Sequence, residues 1–120
     1  MKQLKFIVVD NWKEKRLEIV FGYVEFHRHL RKTSMFEKIL GGGKFRFDKE
    51  NKEVVLFGRS DDFGKVPDAE LKKAISVFDD WYMLDIIMWQ MDRLEGEKKS
   101  LYDDCYKLDT SGWKIVSKES

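Results

Sequence analysis

The 120-residue chain predicts an α/β (α+β) fold: one domain with a mixed or mainly antiparallel sheet flanked by helices. Three observations carry this. Leu4, Phe6 and Val8 alternate with neighbours along the first apolar run. The polar stretch Asp48-Lys49-Glu50-Asn51 separates Phe45 and Phe47 from the apolar run Val54 to Phe57. Elsewhere the apolar spacing changes from two residues to three and four, the repeat of a helix buried on one side. At this length one two-layer core is available and two are not. With 42% apolar and 38% charged residues the chain can fill that core and keep its surface wet.

Taken in order, Leu4 to Val9 is the first predicted strand, and Asn11 to Glu14 the link after it. Leu17, Ile19 and Phe21 alternate with Glu18 and Val20, a second strand, although Gly22 leaves a helical start open. From Tyr23 to Lys32 the spacing of Tyr23, Phe26, His27 and Leu30 predicts an amphipathic helix. Met35 to Leu40 fits either a strand entering the glycines or a last helical turn. Residues 45–57 form a β-hairpin and Arg59 to Val66 a loop. Pro67-Asp68 opens a helix with Asp68 as N-cap and Leu71, Ala74, Ile75 and Phe78 as its apolar face. Trp81 to Leu94 is so apolar that a buried strand and a buried helix both fit. Glu95 to Lys99 is a polar connector, a short segment follows at Tyr102 to Leu108, and Gly112 to Val116 is a last strand.

Charge narrows the function classes. The 23 basic and 22 acidic side chains leave a net +1, which argues against a general nucleic-acid binder. Any anion site must come from local placement. Cys105 is the only cysteine, so no intramolecular disulfide forms, as suits a reducing compartment. It lies beside Asp103 and Asp104, with no neighbouring cation to activate it. The N-terminus lacks the apolar core of a signal peptide, and Trp81 to Met91 is too short to span a bilayer. A soluble cytoplasmic protein is the expectation, with no membrane partner.

The residues that could carry chemistry cluster around glycine. Gly41-Gly42-Gly43 runs into Lys44, and Gly58-Arg59-Ser60-Asp61-Asp62-Phe63-Gly64 interrupts a later apolar run. Glycine lets backbone N–H groups approach and converge on one anion. The ordinary alternatives are a tight strand-to-strand turn for the glycines and a self-bonded loop hydroxyl for Ser60. Nothing matches a Walker loop. His27 and His29, the only histidines, point apart on a helix and cannot share a metal, and no Cys/His/carboxylate set has metal-ligand spacing. No metal or cofactor is expected. His27 falls on the apolar side, where a satisfied core imidazole is the plain reading.

Order and spacing add more. Lys5-Phe6-Ile7-Val8, Gly22-Tyr23-x-Glu25-Phe26-His27, Leu40-Gly41-Gly42-Gly43-Lys44 and Phe57-Gly58-Arg59-Ser60-Asp61-Asp62-Phe63-Gly64 together resemble the Janus/Ocnus family over about residues 3–78. The best-known members of that family are small phosphohistidine phosphatases. The resemblance implies a mixed sheet flanked by helices and a small phosphate pocket. It implies His27 as the catalytic residue, acting as general base or nucleophile. It implies Lys5, Lys44 and Ser60 as phosphate-binding groups, with Asp62 where the family contributes a backbone N–H; Arg59 is a further candidate cation. Lys44 stands in place of an arginine and His29 in place of an acidic residue. The segment between His27 and Gly41 is shorter than in well-known members, Asp61 and Asp62 bring carboxylates to the loop, and residues 93–120 read as an addition.

The function expected from this is metal-independent hydrolysis of phosphohistidine or a related phosphoramidate, on a phosphorylated protein or a small molecule. Two alternatives stand beside it. One is a non-catalytic module of the same fold that binds an anionic partner. The other is an interaction protein working through Trp81, Tyr82, Trp89 and Trp113, which as ordinary core residues would have no such role.

Overall fold

The computed structural model describes residues 2–31, 35–95, 110 and 112–118. Its centre is a five-stranded sheet: β1 (Gln3–Asn11), β2 (Arg16–Val24), β3 (Glu37–Asp48), β4 (Glu53–Phe57) and β5 (Lys114–Ser117), in the order β2-β1-β3-β4-β5. The first three pairings are antiparallel and β4–β5 is parallel, so the sheet is mixed. Two helices, α1 (Asp68–Ser76) and α2 (Trp81–Glu95), fill the connection between β4 and β5. The α+β architecture is the one the sequence predicts. The connector expected at 95–99, the segment 102–108 and Cys105 fall almost wholly outside the described residues.

The even-numbered residues of β1 face the helices. Phe6 and Val8 join Ile19, Phe21, Phe45, Val54, Leu56 and Ile115 from the sheet, and Leu71, Ala74, Leu84 and Ile87 from α1 and α2, in one buried cluster. Aromatic rings run through it. Phe21 lies 4.8 Å from Phe45 and 5.3 Å from Phe78, and Phe78 lies 5.2 Å from Trp81, all edge to face, the arrangement the ring quadrupole favours. Trp81 and Trp113 are half-buried against this core. β1 is also buried on its other side, where Ile7 and Val9 are fully inaccessible. A strand covered on both faces is where a lysine such as Lys5 loses its water.

Two element boundaries correct the sequence reading. No helix spans Tyr23 to Lys32. β2 instead runs on to Val24, with Tyr23 and Val24 paired to Leu4 and Gln3, and only His27–His29 form a single 3₁₀ turn. The helical spacing is real, but β-prone Tyr23 and Val24 gain ladder bonds from a strand already in place, and tertiary pairing overrides local periodicity. Asp68 is not the N-cap of α1. Pro67 holds that position, its carbonyl accepting the Leu71 N–H at 3.0 Å, while Asp68 opens the helix without a capping bond and lies 4.0 Å from Lys65. As a first-turn carboxylate it still complements the helix dipole.

Where the sequence left alternatives, the structure chooses. Residues 81–95 are helical, with Leu84, Ile87 and Met88 buried and Tyr82, Met83 and Ile86 exposed, the spacing of one helix face. Glu37 to Leu40 is strand, and the three glycines lie inside β3 rather than at a turn. No helix among the described residues is long and apolar enough to cross a membrane.

Asp85 interrupts the apolar run of α2 for a structural reason. Its Oδ1 accepts the Thr110 N–H at 2.5 Å and the Thr110 hydroxyl at 2.6 Å, and Thr110 is fully buried. The carboxylate thereby anchors the chain where it turns toward β5. Replacing Asp85 by Ala leaves two buried donors less well satisfied, which costs about 1–3 kcal/mol per orphaned group. Urea unfolding of Asp85→Ala should show a stability loss of that order, while a substitution at the exposed Tyr82 serves as a same-helix reference.

Candidate functional site

The candidate site is built on the face of the sheet turned away from the helices. Lys5 pairs directly with Lys44 across β1 and β3, and Ile7 pairs with Gly42, so these four positions present the same face. The segment 25–31 crosses it without regular helix, held only by His29 N–H to Phe26 O and Leu30 N–H to His27 O, both 3.0 Å. It can lie so close because two positions beneath it have no side chain. A methyl group on Gly42 would collide with the Phe6 carbonyl oxygen and stand 3.1 Å from the His27 ring, and one on Gly22 would collide with the Leu30 side chain. Gly41 serves the chain at 65–66, whose backbone would lie 2.7 Å from an added methyl.

His27 is 5% exposed, and its Nε2 lies 2.7 Å from the Gly43 carbonyl oxygen. A carbonyl only accepts, so Nε2 carries the proton, and in the neutral ring the lone pair is on Nδ1. Lys5, 9% exposed, donates its ammonium to the Glu25 carbonyl and lies 5.8 Å from the centre of the Phe26 ring. The Arg28 guanidinium lies 4.2 Å from the same centre. Phe26 therefore gathers two cations. The His29 ring meets its edge at 5.5 Å, and His29 itself is exposed. Among the described residues neither Lys5 nor Lys44 has a carboxylate within ion-pair distance. No three His, Cys, Asp or Glu side chains among them are placed to hold a metal ion.

The loop after β4 forms the adjoining wall. Past Phe57 the fourth strand ends, and Gly64 takes its place beside β3, its carbonyl accepting the Gly42 N–H at 3.0 Å. Ser60 is buried. Its hydroxyl oxygen accepts the N–H groups of Asp62 and Phe63, both at 3.1 Å, and its backbone bridges to Gly64. This is the self-bonded turn that was the ordinary alternative for Ser60, and it takes up the Asp62 N–H as well. The Asp62 carboxylate turns toward the 3₁₀ segment, 3.4 Å from the Arg28 N–H and 3.7 Å from its guanidinium. A protein anion thus stands beside an amide that would otherwise be free.

The structure brings His27, Lys5 and Lys44 to one face, with Ser60 and Asp62 beside them. Arg59 is exposed and lines a cleft with Leu56, Leu71 and Lys72, which Gly42 also borders. The sequence reading missed the fastening of the His27 segment. Arg31 forks between Glu18 of β2 at 2.7 Å and Glu37 of β3 at 2.6 Å. Glu18 also accepts from Asn11 and Arg16, each at 3.1 Å. Partial burial pushes the Glu18 carboxyl up, but the hydrogen bonds from Arg31, Arg16 and Asn11 outweigh this and leave it below the ordinary glutamate range. No spacing could reveal this clamp, because its carboxylates sit on β2 and β3, which only the fold sets on either side of β1.

Two outcomes follow. A carboxylate with a depressed folded-state pKa stabilises above its unfolded value and ceases to do so as pH falls through the folded one. Glu18→Gln should therefore lower the urea midpoint at pH 7, with the difference from the parent protein closing as the pH falls below the ordinary value of 4.5. Gly42→Ala forces backbone or the His27 ring to move and should cost about 1–3 kcal/mol in the same assay, with the His27 imidazole resonances displaced in NMR spectra.

With this geometry in place, comparison with known proteins gives one positive result. The family model described as Janus/Ocnus family (Ocnus) matches residues 2–83. No curated protein and no solved structure matches. The matched span is well over half of the chain and contains β1 to β4, α1 and every residue of the His27 face. The chain belongs to the Janus/Ocnus family.

Proposed function

We propose that this protein is a metal-independent phosphatase that hydrolyses phosphohistidine or a related phosphoramidate, with His27 as the catalytic residue. The observation that carries the reading is the pairing of Lys5 and Lys44. Two like charges directly opposite each other in a sheet destabilise it, and here one is buried and, among the described residues, neither has a carboxylate partner. An anion bound between them relieves both costs.

The chemistry asks little of the protein. Phosphoryl transfer spreads negative charge over three oxygens, and catalysis is mainly positioning and charge stabilisation. Lys5 and Lys44 supply the charge, and the Ser60 hydroxyl retains its own proton as a donor. Because Nε2 is committed to Gly43, Nδ1 is the basic nitrogen. As general base it takes a proton from the attacking water, whose oxygen bonds to phosphorus as the P–N bond breaks, and returns the proton to the departing nitrogen. As nucleophile it would itself form the bond to phosphorus, with water releasing the phosphate afterwards. The substrate is a phosphorylated protein or a small phosphoramidate, in the cytoplasm that a lone cysteine suits.

The rival reading, a module that binds anions without turnover, is favoured by one contact, the Asp62 carboxylate at the Arg28 N–H. The two readings separate in one assay series on phosphohistidine and phosphoramidate. His27→Ala should lose about 10²–10⁴-fold in turnover, the usual worth of a general base, and keep its affinity for inorganic phosphate. Lys44→Ala should weaken phosphate binding. Hydrolysis by His27→Ala at the parent rate overturns the assignment of His27. Saturable phosphate binding with no turnover by the parent protein favours the binding module.

A further inference from the structure

Beside the Gly58–Val66 loop lies a cleft of about 730 Å³. Its floor is Phe6, Leu56, Val66 and Leu71, and its rim carries Arg59, Lys65, Lys72, Ser117 and Lys118, with Asp68 as the one carboxylate. The cations come from four separate parts of the chain: the start and the end of the loop, α1, and the residue after β5. Asp68 lies 4.0 Å from Lys65. Arg59 and Lys72 have no carboxylate partner among the described residues. In a chain of net charge +1, four cations facing one carboxylate is a strong local excess.

We propose that this cleft is a second binding site, for a small organic anion with an apolar body and one or two acidic groups. The volume lies within the range of small-molecule sites, which pair an apolar floor with a few polar groups that fix orientation. Cationic side chains around a low-dielectric floor attract an anion more strongly than the same charges on an open surface. The charged side chains of the cleft are not those of the His27 face, although Gly42, beneath the His27 ring, also lines the cleft. Arg59 and Ser60 are adjacent, yet Ser60 is buried in its own turn while Arg59 is exposed at the cleft. The turn that parts them begins at Gly58, whose φ of +69° glycine adopts readily. The site does not depend on phosphatase activity, and its ligand need not carry phosphorus.

The test uses naphthalene-1-sulfonate, which is stable and contains no phosphoryl group, titrated into the ¹⁵N-labelled full chain. The expected result is saturable binding that shifts the amides of Arg59, Lys65, Lys72 and Lys118 and leaves those of His27 and Lys44 in place. Lys72→Glu and Lys118→Glu, both on exposed positions, should each weaken binding by about tenfold at low salt, less at high salt. Both should keep the parent affinity for inorganic phosphate at the His27 face. Absence of saturable binding, shifts centred on His27, or an unchanged affinity in both variants would overturn the proposal. Lys44→Ala should not affect sulfonate binding, so a failure here is distinguishable from a failure of the phosphatase reading.

Discussion

The close approach of the 25–31 segment to the backbone of β3 is the constraint on which the His27 face depends. A strand that carried side chains throughout would hold that segment away from the sheet. At Gly42 the surface drops to the backbone itself, and the His27 ring fills the depression with its Nε2 on the next carbonyl. Packing and hydrogen bonding thus act on the same imidazole, one fixing its position and the other its tautomer. The rest of the segment is secured at its ends, by Glu25 to Lys5 and by Arg31 to two strands. One 3₁₀ turn is enough because the fastening is tertiary.

Electrostatics works against the sheet where the packing is tightest. Lys5 is buried on the His27 face and stands opposite a second lysine, an arrangement that stability alone does not favour. A backbone carbonyl and an aromatic ring compensate in part, and both leave the full charge in place. Carboxylates are elsewhere, on Arg31 and at Arg28. The result is two groups of cationic side chains on a chain of nearly balanced composition, Lys5 with Lys44 and Arg59 with Lys65, Lys72 and Lys118. Net charge says nothing of such placement.

Much of the fold was legible in the sequence, and the reasons are local. The hairpin at 45–57 has alternation, a polar turn and β-prone residues all in agreement, and Asp48 accepts from both the backbone and the side chain of Asn51 as that turn closes. Tyr23 to Lys32 misled because its periodicity pointed to a helix while its first residues belonged to a strand begun earlier. The cap of α1 misled by one position, since Pro67 fixes the backbone just where Asp68 would have capped. Residues 81–95 were ambiguous by composition and were settled by burial on one helical face. At the candidate site, the order of the glycine, histidine and lysine motifs pointed to the face where His27, Lys5 and Lys44 now stand. Arg59 went elsewhere because its orientation depends on the turn at Gly58. The Arg31 clamp was invisible because strand register cannot be read from spacing.

The parallel pairing of β5 with β4 has a consequence for the birth of the molecule. Residues 53–56 wait for partners at 114–117, which are synthesised only after both helices. Until then the outer edge of β4 is an open ladder of Val54, Val55 and Leu56, the kind of edge that recruits strands from other chains. Non-local pairing of this sort slows folding. The antiparallel strands before it need no such delay for their ladders, because their mutual pairings are available once residue 57 has emerged. A nascent chain of this sequence therefore passes through an interval in which its aggregation risk is concentrated on the edge of β4.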